Sequence, residues 1–314
     1  MSAVTIKSRS KSLKDVSIDL NSKPTLDSVL QEISKQNKNI SKYRIRLTYL
    51  KESKQVPITS EKFFQEENTP SNEQIELFIK DLGPQISWRL VFAIEYLGPI
   101  LVHTFFYKLS QNPDVIAKWH HDPDNYMPGL NQLAYYMILA HYLKREFETL
   151  FIHKFSLATM PLFNLFKNSF HYWVLNGMIV LGYFGYGFLF NDDILFKVYN
   201  TTYLNNIGLL IGLFVISEFW NFIVHLKLRR WGDKQKELGN ANKRVPINEG
   251  LFTMFVAPNY TFEVWSWIWF TLVFKINLFA LIFLVVSATQ MYLWAQKKNR
   301  KYGTRRAFFI PYLF

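Results

Sequence analysis

The sequence has no cysteine among its 314 residues, which excludes disulfide bridges and thiolate metal sites. It also lacks the G-x-G-x-x-G and P-loop phosphate motifs, the G-x-S-x-G nucleophile motif and the H-E-x-x-H zinc motif. The enzyme classes built on those motifs are therefore disfavoured. The N-terminal stretch contains no apolar run of the secretory type, so we expect an internal span to direct membrane insertion.

Acidic residues are scarce, with 24 Asp and Glu against 36 Lys and Arg and a formal net charge of +12. Much of the positive excess lies in two segments, residues 227–244 and 296–306. Both segments adjoin long apolar runs. This position favours anionic lipid, a membrane-orientation signal or a multiply phosphorylated ligand over nucleic acid as the partner.

The N-terminal part, residues 1–82, has the composition of a soluble domain. Alternating apolar and polar residues predict strands, and the apolar spacing after Thr25 predicts a capped helix. The predicted strands cover residues 3–8, 15–20, 43–50 and 74–80. The order β-β-α-β-β indicates a ubiquitin-like β-grasp domain, with a generic α+β domain as the alternative.

The remaining part, residues 83–314, is predicted to be an α-helical polytopic membrane domain, because long apolar runs alternate with short polar segments. The candidate spans are 88–108, 129–151, 165–190, 204–226, 250–272 and 275–295. The stretch 157–190 is too long for one simple helix, so its first part is expected to be re-entrant or interfacial. The prediction is therefore six spans.

Loop charges predict the orientation of these spans. The segments after the second and fourth spans and the C-terminal tail are basic, whereas residues 109–128 and 191–203 carry more acidic than basic residues. Basic loops remain on the cytosolic side of a membrane. Both termini are therefore predicted to be cytosolic.

Several ionisable residues occur inside the predicted spans, where an unpaired charge costs about 2.5–3.5 kcal/mol. They are Glu95, Lys144, Arg145, Glu148, Lys167, His171, Glu218, His225 and Glu263. For Lys167, Glu218 and Glu148 we expect pairing with neighbouring helices or an interfacial position. Glu95 and Glu263 lie well inside their spans, which favours a polar cavity that opens to the cytosol.

The segment VAPNYTFEVWSW places Asn259 and Tyr260 directly after Pro258. Proline interrupts a helix, and backbone freed at membrane depth is tolerated where it lines a cavity or packs on protein. Tyr260 is then either a proton donor or an aromatic residue packed at a kink.

Basic residues are predicted near the cytosolic mouth of this cavity. They are Arg229, Arg230, Lys243, Arg244 and the arginines and lysines of residues 300–306. The planar guanidinium group suits phosphate, and lipid headgroups are the alternative ligand.

The whole chain resembles the fungal trans-2-enoyl-CoA reductases of very-long-chain fatty-acid elongation, which are members of the steroid 5α-reductase superfamily. The segments that carry the resemblance are VFAIEYLGP, HYLKREFETLFIHKFSLATMPLFNLFKN, VAPNYTFEVWSW and RRAFFIPYLF. The superfamily also has an Asn-aromatic pair followed by Glu in its next-to-last span and a Tyr-Arg pattern in its tail. These patterns match Asn259, Tyr260 and Glu263, and then Tyr302, Arg306 and Pro311.

The resemblance implies roles for individual residues. Glu95 and Tyr260 match the catalytic pair, Tyr142 matches a substrate-facing tyrosine, and Lys144 and Arg145 match a basic pair of the elongation reductases. The residues in regions that bind NADPH in the superfamily are Asn221, Arg229, Arg244, Asn259, Glu263, Tyr302 and Arg306. No metal site is implied.

The implied reaction is a conjugate reduction of a long-chain enoyl-CoA. A hydride from NADPH reaches C3 of the thioester, hydrogen bonds stabilise the enolate, and C2 takes a proton, with Tyr260 as donor and Glu95 orienting or polarising it. The resemblance also implies an endoplasmic reticulum membrane, a role that feeds sphingolipid synthesis, and the elongase, ketoacyl reductase and dehydratase as partners. The alternatives are a steroid or polyprenol 5α-reductase, a membrane methyltransferase, and a non-enzymatic scaffold of the elongation complex.

Overall fold

The computed structural model describes residues 3–19, 24–51, 53–61, 63–64, 76–155, 157–202, 204, 206–239 and 245–310. The chain divides into two compact units. The first comprises Met1–Trp88 and Phe155–Asn164, and the second comprises Arg89–Lys154 and Leu165–Phe314.

The first unit contains a five-stranded sheet in the order β2-β1-β5-β3-β4. Its strands are β1 (Ala3–Ser8), β2 (Val16–Asp19), β3 (Ile45–Lys51), β4 (Lys54–Pro57) and β5 (Leu77–Asp81). β1 and β5 are parallel, whereas the pairs β1–β2, β3–β4 and β3–β5 are antiparallel. A second, two-stranded sheet pairs β6 (Gln85–Ser87) with β7 (Thr159–Pro161).

Helix α1 (Leu26–Gln36) begins where predicted, because the Thr25 side chain accepts a hydrogen bond from the backbone N–H of Ser28. Its residues Val29 and Ile33 are buried in one apolar cluster with alternate residues of the strands. The helix and the sheet therefore share a single core.

The predicted strands of this unit agree with β1, β2 and β3 in position, and the described part of β5 begins at Leu77. Strand β4 was not predicted from the sequence, because Lys54–Pro57 has only four residues and ends in proline. A strand this short gains its order from pairing with β3, which a local pattern does not reveal.

The second unit is built from helices. The remaining helices of the chain are α2 (Trp88–Leu109), α3 (Pro113–Trp119), α4 (Pro128–Phe147), α5 (Phe163–Ser169), α6 (Asp192–Thr202), α7 (Ile207–Glu237), α8 (Leu251–Met254), α9 (Pro258–Val273) and α10 (Leu278–Tyr302). Among the described residues, three helices are long and apolar enough to cross a membrane, namely α2, α7 and α10. These three helices fit a membrane protein.

Large apolar side chains on the outer faces of these three helices agree with lipid contact. The exposed ones are Leu90, Leu97, Leu101 and Phe105 of α2, Leu209, Val215, Ile216 and Phe219 of α7, and Val285, Val286, Leu293 and Trp294 of α10. Water would disfavour so much continuous apolar surface, whereas lipid tails accept it.

The predicted span 165–190 is not one regular helix, which corrects that part of the sequence analysis. Short α5 continues as a π-helical segment, Phe170–Asn176, and then as a 3-10 segment, Gly177–Phe184. The run ends at Gly185, whose φ of +80° suits glycine. Several glycines in an apolar run lower the preference for a regular α-helix.

The predicted span 250–272 also differs from the structure. Pro258 does not interrupt a continuous helix there, because it occupies the first turn of α9. Proline is favoured in a first helical turn, where its missing N–H would lack a helical partner in any case. Short α8 precedes it and ends at the extended residue Phe255.

A close contact joins α2 to the irregular segment. The Trp173 indole lies against Gly98, where a Cβ atom would meet the ring at 2.3 Å. Its Nε1–H donates to the Ile94 carbonyl at 2.9 Å. Glycine at position 98 is therefore required by the close approach of the ring.

A bidentate ion pair stabilises the first unit. The Arg44 guanidinium donates to both carboxylate oxygens of Asp81, at 3.1 and 2.7 Å. Hydrogen bonds from Arg44, then from Gly83 and Ser12, hold the pKa of the Asp81 carboxyl at about 2, below its ordinary value. A lowered folded-state pKa stabilises the fold above about pH 4, and this contribution is lost as the pH falls through about 2.

We predict that Asp81→Asn lowers the opening free energy of β3 and β5 by about 1 kcal/mol at pH 7, as expected for a partly exposed charge-assisted pair. Hydrogen–deuterium exchange of the intact chain in detergent measures this opening free energy. The difference from wild type should shrink from pH 4 to pH 2. Glu76→Gln is the control, because its pair with Lys7 is exposed on both sides. An Asp81→Asn effect that persists unchanged at pH 2 would rule out this ion pair as the cause.

Candidate functional site

Polar residues on α4, α7 and α9 form a buried network inside the second unit. On α4 they occur at positions 141, 144 and 145, with Glu148 directly after the last residue of the helix, and on α7 at positions 218, 221 and 225. Spacings of three, four and seven residues put side chains on one face of a helix. Each helix therefore presents one polar stripe within an otherwise apolar segment.

His141 lies between two carboxylates. Its Nδ1 is 2.8 Å from Glu218 Oε1 and its Nε2 is 3.2 Å from Glu263 Oε1. The ring can donate from both nitrogens at once only as an imidazolium. His141 is 3% exposed, so it joins α4 to α7 and α9 from within the core.

Lys144 and Asn221 form the next part of the network. The Lys144 ammonium lies 2.7 Å from Glu218 Oε2 and donates to Asn221 Oδ1 at 2.7 Å. The Asn221 amide donates in turn to the Asn259 carbonyl at 2.8 Å and to Glu263 Oε2 at 3.2 Å. Because lysine only donates and a carboxylate accepts, these partners fix the orientation of the Asn221 amide.

Arg145 forms the third part. Its guanidinium donates to Glu148 at 2.5 Å and to the Tyr96 hydroxyl at 2.8 Å. His225 Nδ1 lies 2.9 Å from the same Glu148 oxygen. Glu148 is fully buried, and an isolated carboxylate at that depth would be costly.

Glu148, His153 and His225 each offer a metal-ligating atom, and these atoms lie within 4.8 Å of one another. The Glu148 oxygen nearest to His225 is also bonded to Arg145. A guanidinium already neutralises that carboxylate, and a second cation there would be repelled. The cluster is therefore better described as an ion pair than as a metal site.

Besides one Glu148 oxygen and the Thr149 hydroxyl, two buried polar atoms beside this network have no hydrogen-bond partner among the described residues. They are the Tyr142 hydroxyl and Asn259 Oδ1. Tyr142 is fully buried, with its ring near those of Tyr96, Tyr172 and Trp267. Buried polar groups are normally bonded, so unpartnered ones are candidates for a functional site.

The two residues of the implied catalytic pair lie in different side-chain clusters. Glu95 of α2 is 1% exposed and accepts a hydrogen bond from Asn168 at 2.6 Å. Tyr260 lies in the first turn of α9, packed near Trp294 of α10, with the Lys298 ammonium 4.3 Å from its ring centre. Tyr96 follows Glu95 in the sequence, and its hydroxyl accepts a hydrogen bond from Arg145. This bond links the surroundings of Glu95 to the polar network.

The remaining candidates lie outside the network. Arg229 donates to Asp233 at 3.0 Å and to the Ile152 carbonyl at 2.8 Å. Arg306 donates to the Ile247 carbonyl at 2.8 Å and to Asn248 at 2.5 Å. Tyr302 is the last residue of α10. Arg244 lies outside the described residues.

The sequence did not predict a role for His141, Tyr96 or Asn168. Glu148 and Glu218 were predicted to be paired with neighbouring helices or to lie at the membrane interface. The structure pairs both glutamates with cations of α4. The spacing of charges along α4 and α7 was a usable signal for these residues. Tyr96 and Asn168 gave no such signal, because their roles depend on contacts between distant segments.

The sequence profile of the 3-oxo-5-alpha-steroid 4-dehydrogenase family matches residues 158–314. The very-long-chain enoyl-CoA reductase of Dictyostelium discoideum is 34% identical over 96% of this chain and 97% of its own length. A putative enoyl reductase of Schizosaccharomyces pombe is 39% identical over 72% of this chain and 70% of its own. A probable very-long-chain enoyl-CoA reductase of Caenorhabditis elegans is 37% identical over 74% and 71%. The chain belongs to the 3-oxo-5-alpha-steroid 4-dehydrogenase family, together with these enoyl-CoA reductases.

Proposed function

We propose that this protein reduces the trans-2 double bond of a long-chain enoyl-CoA with NADPH, as the last step of very-long-chain fatty-acid elongation. The names of the relatives support the reaction class. The observation that carries the proposal is the Tyr142 hydroxyl, buried without a partner among the described residues beside a network of opposite charges. Such a hydroxyl is a hydrogen-bond donor available to a substrate carbonyl.

We also propose a division of the chain into two domains. Residues 1–82 form a cytosolic ubiquitin-like β-grasp domain, and residues 83–314 form a six-span reductase domain. The mixed sheet with its parallel pair β1–β5 and a single packed helix supports the first assignment. The loop charges support a cytosolic active-site mouth in the endoplasmic reticulum membrane. The other elongation enzymes are the proposed partners, in a pathway that feeds sphingolipid synthesis.

The side chains present fit a nicotinamide dinucleotide. Unpartnered Asn259 Oδ1, next to Asn221 and Glu263, suits a ligand amide that both donates and accepts. These three residues would hold the nicotinamide end. The residues proposed for the phosphate end are Arg229, Arg244, Tyr302 and Arg306. When bound, NADPH supplies the hydride that reaches C3 of the enoyl thioester.

The protein's own groups stabilise charge and move the proton. The Tyr142 hydroxyl donates a hydrogen bond to the thioester oxygen, where negative charge develops. Lys144 and Arg145 add positive potential there, although both are already engaged with carboxylates. Water is kept out because Tyr142, Tyr96 and Trp267 are buried.

Tyr260 is the proposed proton donor to C2, and Glu95, which lies in a different side-chain cluster, is the proposed second catalytic group. The positive end of α9 and the Lys298 ammonium both favour the phenolate that remains after proton donation. Burial of Glu95 against Asn168 fixes its carboxyl.

A second candidate function is reduction of a steroid or polyprenol enone, because the matching family is described by a steroid substrate. Purified protein should be assayed for NADPH consumption with a long-chain trans-2-enoyl-CoA and, in parallel, with a 3-oxo-4-ene steroid. Turnover of the steroid alone would overturn the proposed substrate. Turnover of neither would favour the non-enzymatic scaffold.

We predict that Tyr142→Phe lowers kcat for the enoyl-CoA by about 10²–10³-fold, as the loss of one oxyanion donor does. Stability should not fall, because the substitution removes a buried hydroxyl that lacks a partner among the described residues. Steady-state NADPH oxidation and thermal unfolding measure the two effects. Tyr135→Phe on the same helix is the control, since its hydroxyl bonds Thr104. A fully active Tyr142→Phe enzyme would contradict the assignment.

Tyr260→Phe should lower kcat by about 10²–10⁴-fold, the usual contribution of general acid catalysis, while NADPH affinity changes little. Tyr292→Phe in the same apolar cluster is the matched control. Single-turnover reduction in H2O and D2O separates proton donation from binding. If Tyr260→Phe turns over within about threefold of wild type, the proton comes from another group and Tyr142 is the leading candidate.

Arg306→Gln should raise the KM for NADPH more than it lowers kcat at saturating cofactor. Arg305→Gln is the control one residue away, because Arg305 is exposed. The Arg306 guanidinium also donates a hydrogen bond to the Ile247 carbonyl. Thermal unfolding of the variant must therefore be measured as well, to detect a loss of stability. An unchanged KM in a destabilised Arg306→Gln protein would assign the residue a structural role only.

A further inference from the structure

A groove of about 420 Å³ lies along the C-terminal part of α7, away from the polar network. The residues that line it are Ile223, Leu226, Lys227, Arg230, Trp231, Lys234 and Glu249. Positions 223, 227, 230 and 234 share one face of the helix. Asn221 and His225 lie about 180° around the axis, at 100° per residue. The groove therefore lies on the side of α7 that faces away from Asn221 and His225.

The position of the groove along α7 sets its height in a membrane. The helix has 31 residues and is about 46 Å long, whereas a hydrocarbon core is about 30 Å thick. The segment from Ile207 to Leu226 has about the length that crosses a hydrocarbon core, and Lys227 follows it directly. Ile223 and Leu226 therefore lie at the edge of the hydrocarbon, and the three cations lie at headgroup level.

The charges of the groove are only partly compensated. Lys227 pairs with Glu249 at 3.2 Å. Within the described part of the chain, no carboxylate lies within 4.0 Å of Arg230 or Lys234. Neighbouring Arg229 differs, because it is bonded to Asp233 and the Ile152 carbonyl. Two cations of the groove thus remain available to an anion.

Trp231 forms the wall between the apolar and basic parts. Its indole N–H donates to the Val245 carbonyl at 3.0 Å, which fixes the ring. Tryptophan is favoured at the interface between lipid and water. The groove therefore combines an apolar floor, a fixed aromatic wall and two available cations at one height.

We propose that this groove binds an anionic phospholipid of the surrounding bilayer. Its phosphate lies between Arg230 and Lys234, and an acyl chain runs along Ile223 and Leu226. Arginine and lysine both bind phosphate, and the adjoining apolar floor favours a lipid over a soluble phosphate.

The test uses the full chain in nanodiscs of phosphatidylcholine with and without phosphatidic acid, and native mass spectrometry counts the bound phosphatidic acid. Wild type should retain this lipid. The variant Arg230→Gln/Lys234→Gln should bind it about fivefold more weakly for each cation removed. Both positions are exposed, so folding should be unaffected. Arg230→Glu is the second variant and should repel the phosphate.

The matched control is Lys236→Gln/Lys297→Gln, which removes the same charge from exposed positions outside the groove. It should retain the lipid as wild type does. Equal loss in the control and groove variants would overturn the proposal in favour of non-specific attraction. Displacement of phosphatidic acid by inorganic phosphate or coenzyme A would overturn it in favour of a soluble ligand. Binding is read without catalysis, so the result does not depend on reductase activity.

Discussion

The arrangement of the helical unit depends on the need to pair charges that are buried in an apolar environment. Removal of one partner from a buried ion pair typically costs about 3–5 kcal/mol, because the other charge is left uncompensated. Helix α4 supplies His141, Lys144 and Arg145, and their carboxylate partners lie on α7, on α9 and directly after α4. The network thus determines which faces of the three helices pack together. Apolar packing alone would determine the rotation of each helix less specifically.

Much of the fold could be predicted from local patterns. Alternation identified β1 and β2, the Thr25 cap identified the start of α1, and apolar runs identified α2, α7 and α10. The irregular segment after α5 could not be predicted in the same way. Its π and 3-10 turns follow from how it packs against neighbours, and hydrophobicity alone does not distinguish such turns from a regular helix.

The candidate site was predictable in its residue types and less so in its pairings. Charges within apolar spans marked Glu263 and Lys144 as unusual, and the helical spacing around them was visible in the sequence. Which carboxylate meets which cation depends on the rotation of each helix about its axis. Asn221 illustrates this, because its amide joins Lys144 to Glu263 across three helices and carries no charge of its own.

The contact between Trp173 and Gly98 limits how α2 and the irregular segment can pack against each other. The indole fits beside α2 at position 98 because glycine has no side chain there. Any side chain at this position would collide with the ring unless one of the two segments moved. The hydrogen bond between Glu95 and Asn168 lies about one turn from this contact. The packing of one indole on one glycine therefore helps to align Asn168 with the buried carboxyl of Glu95.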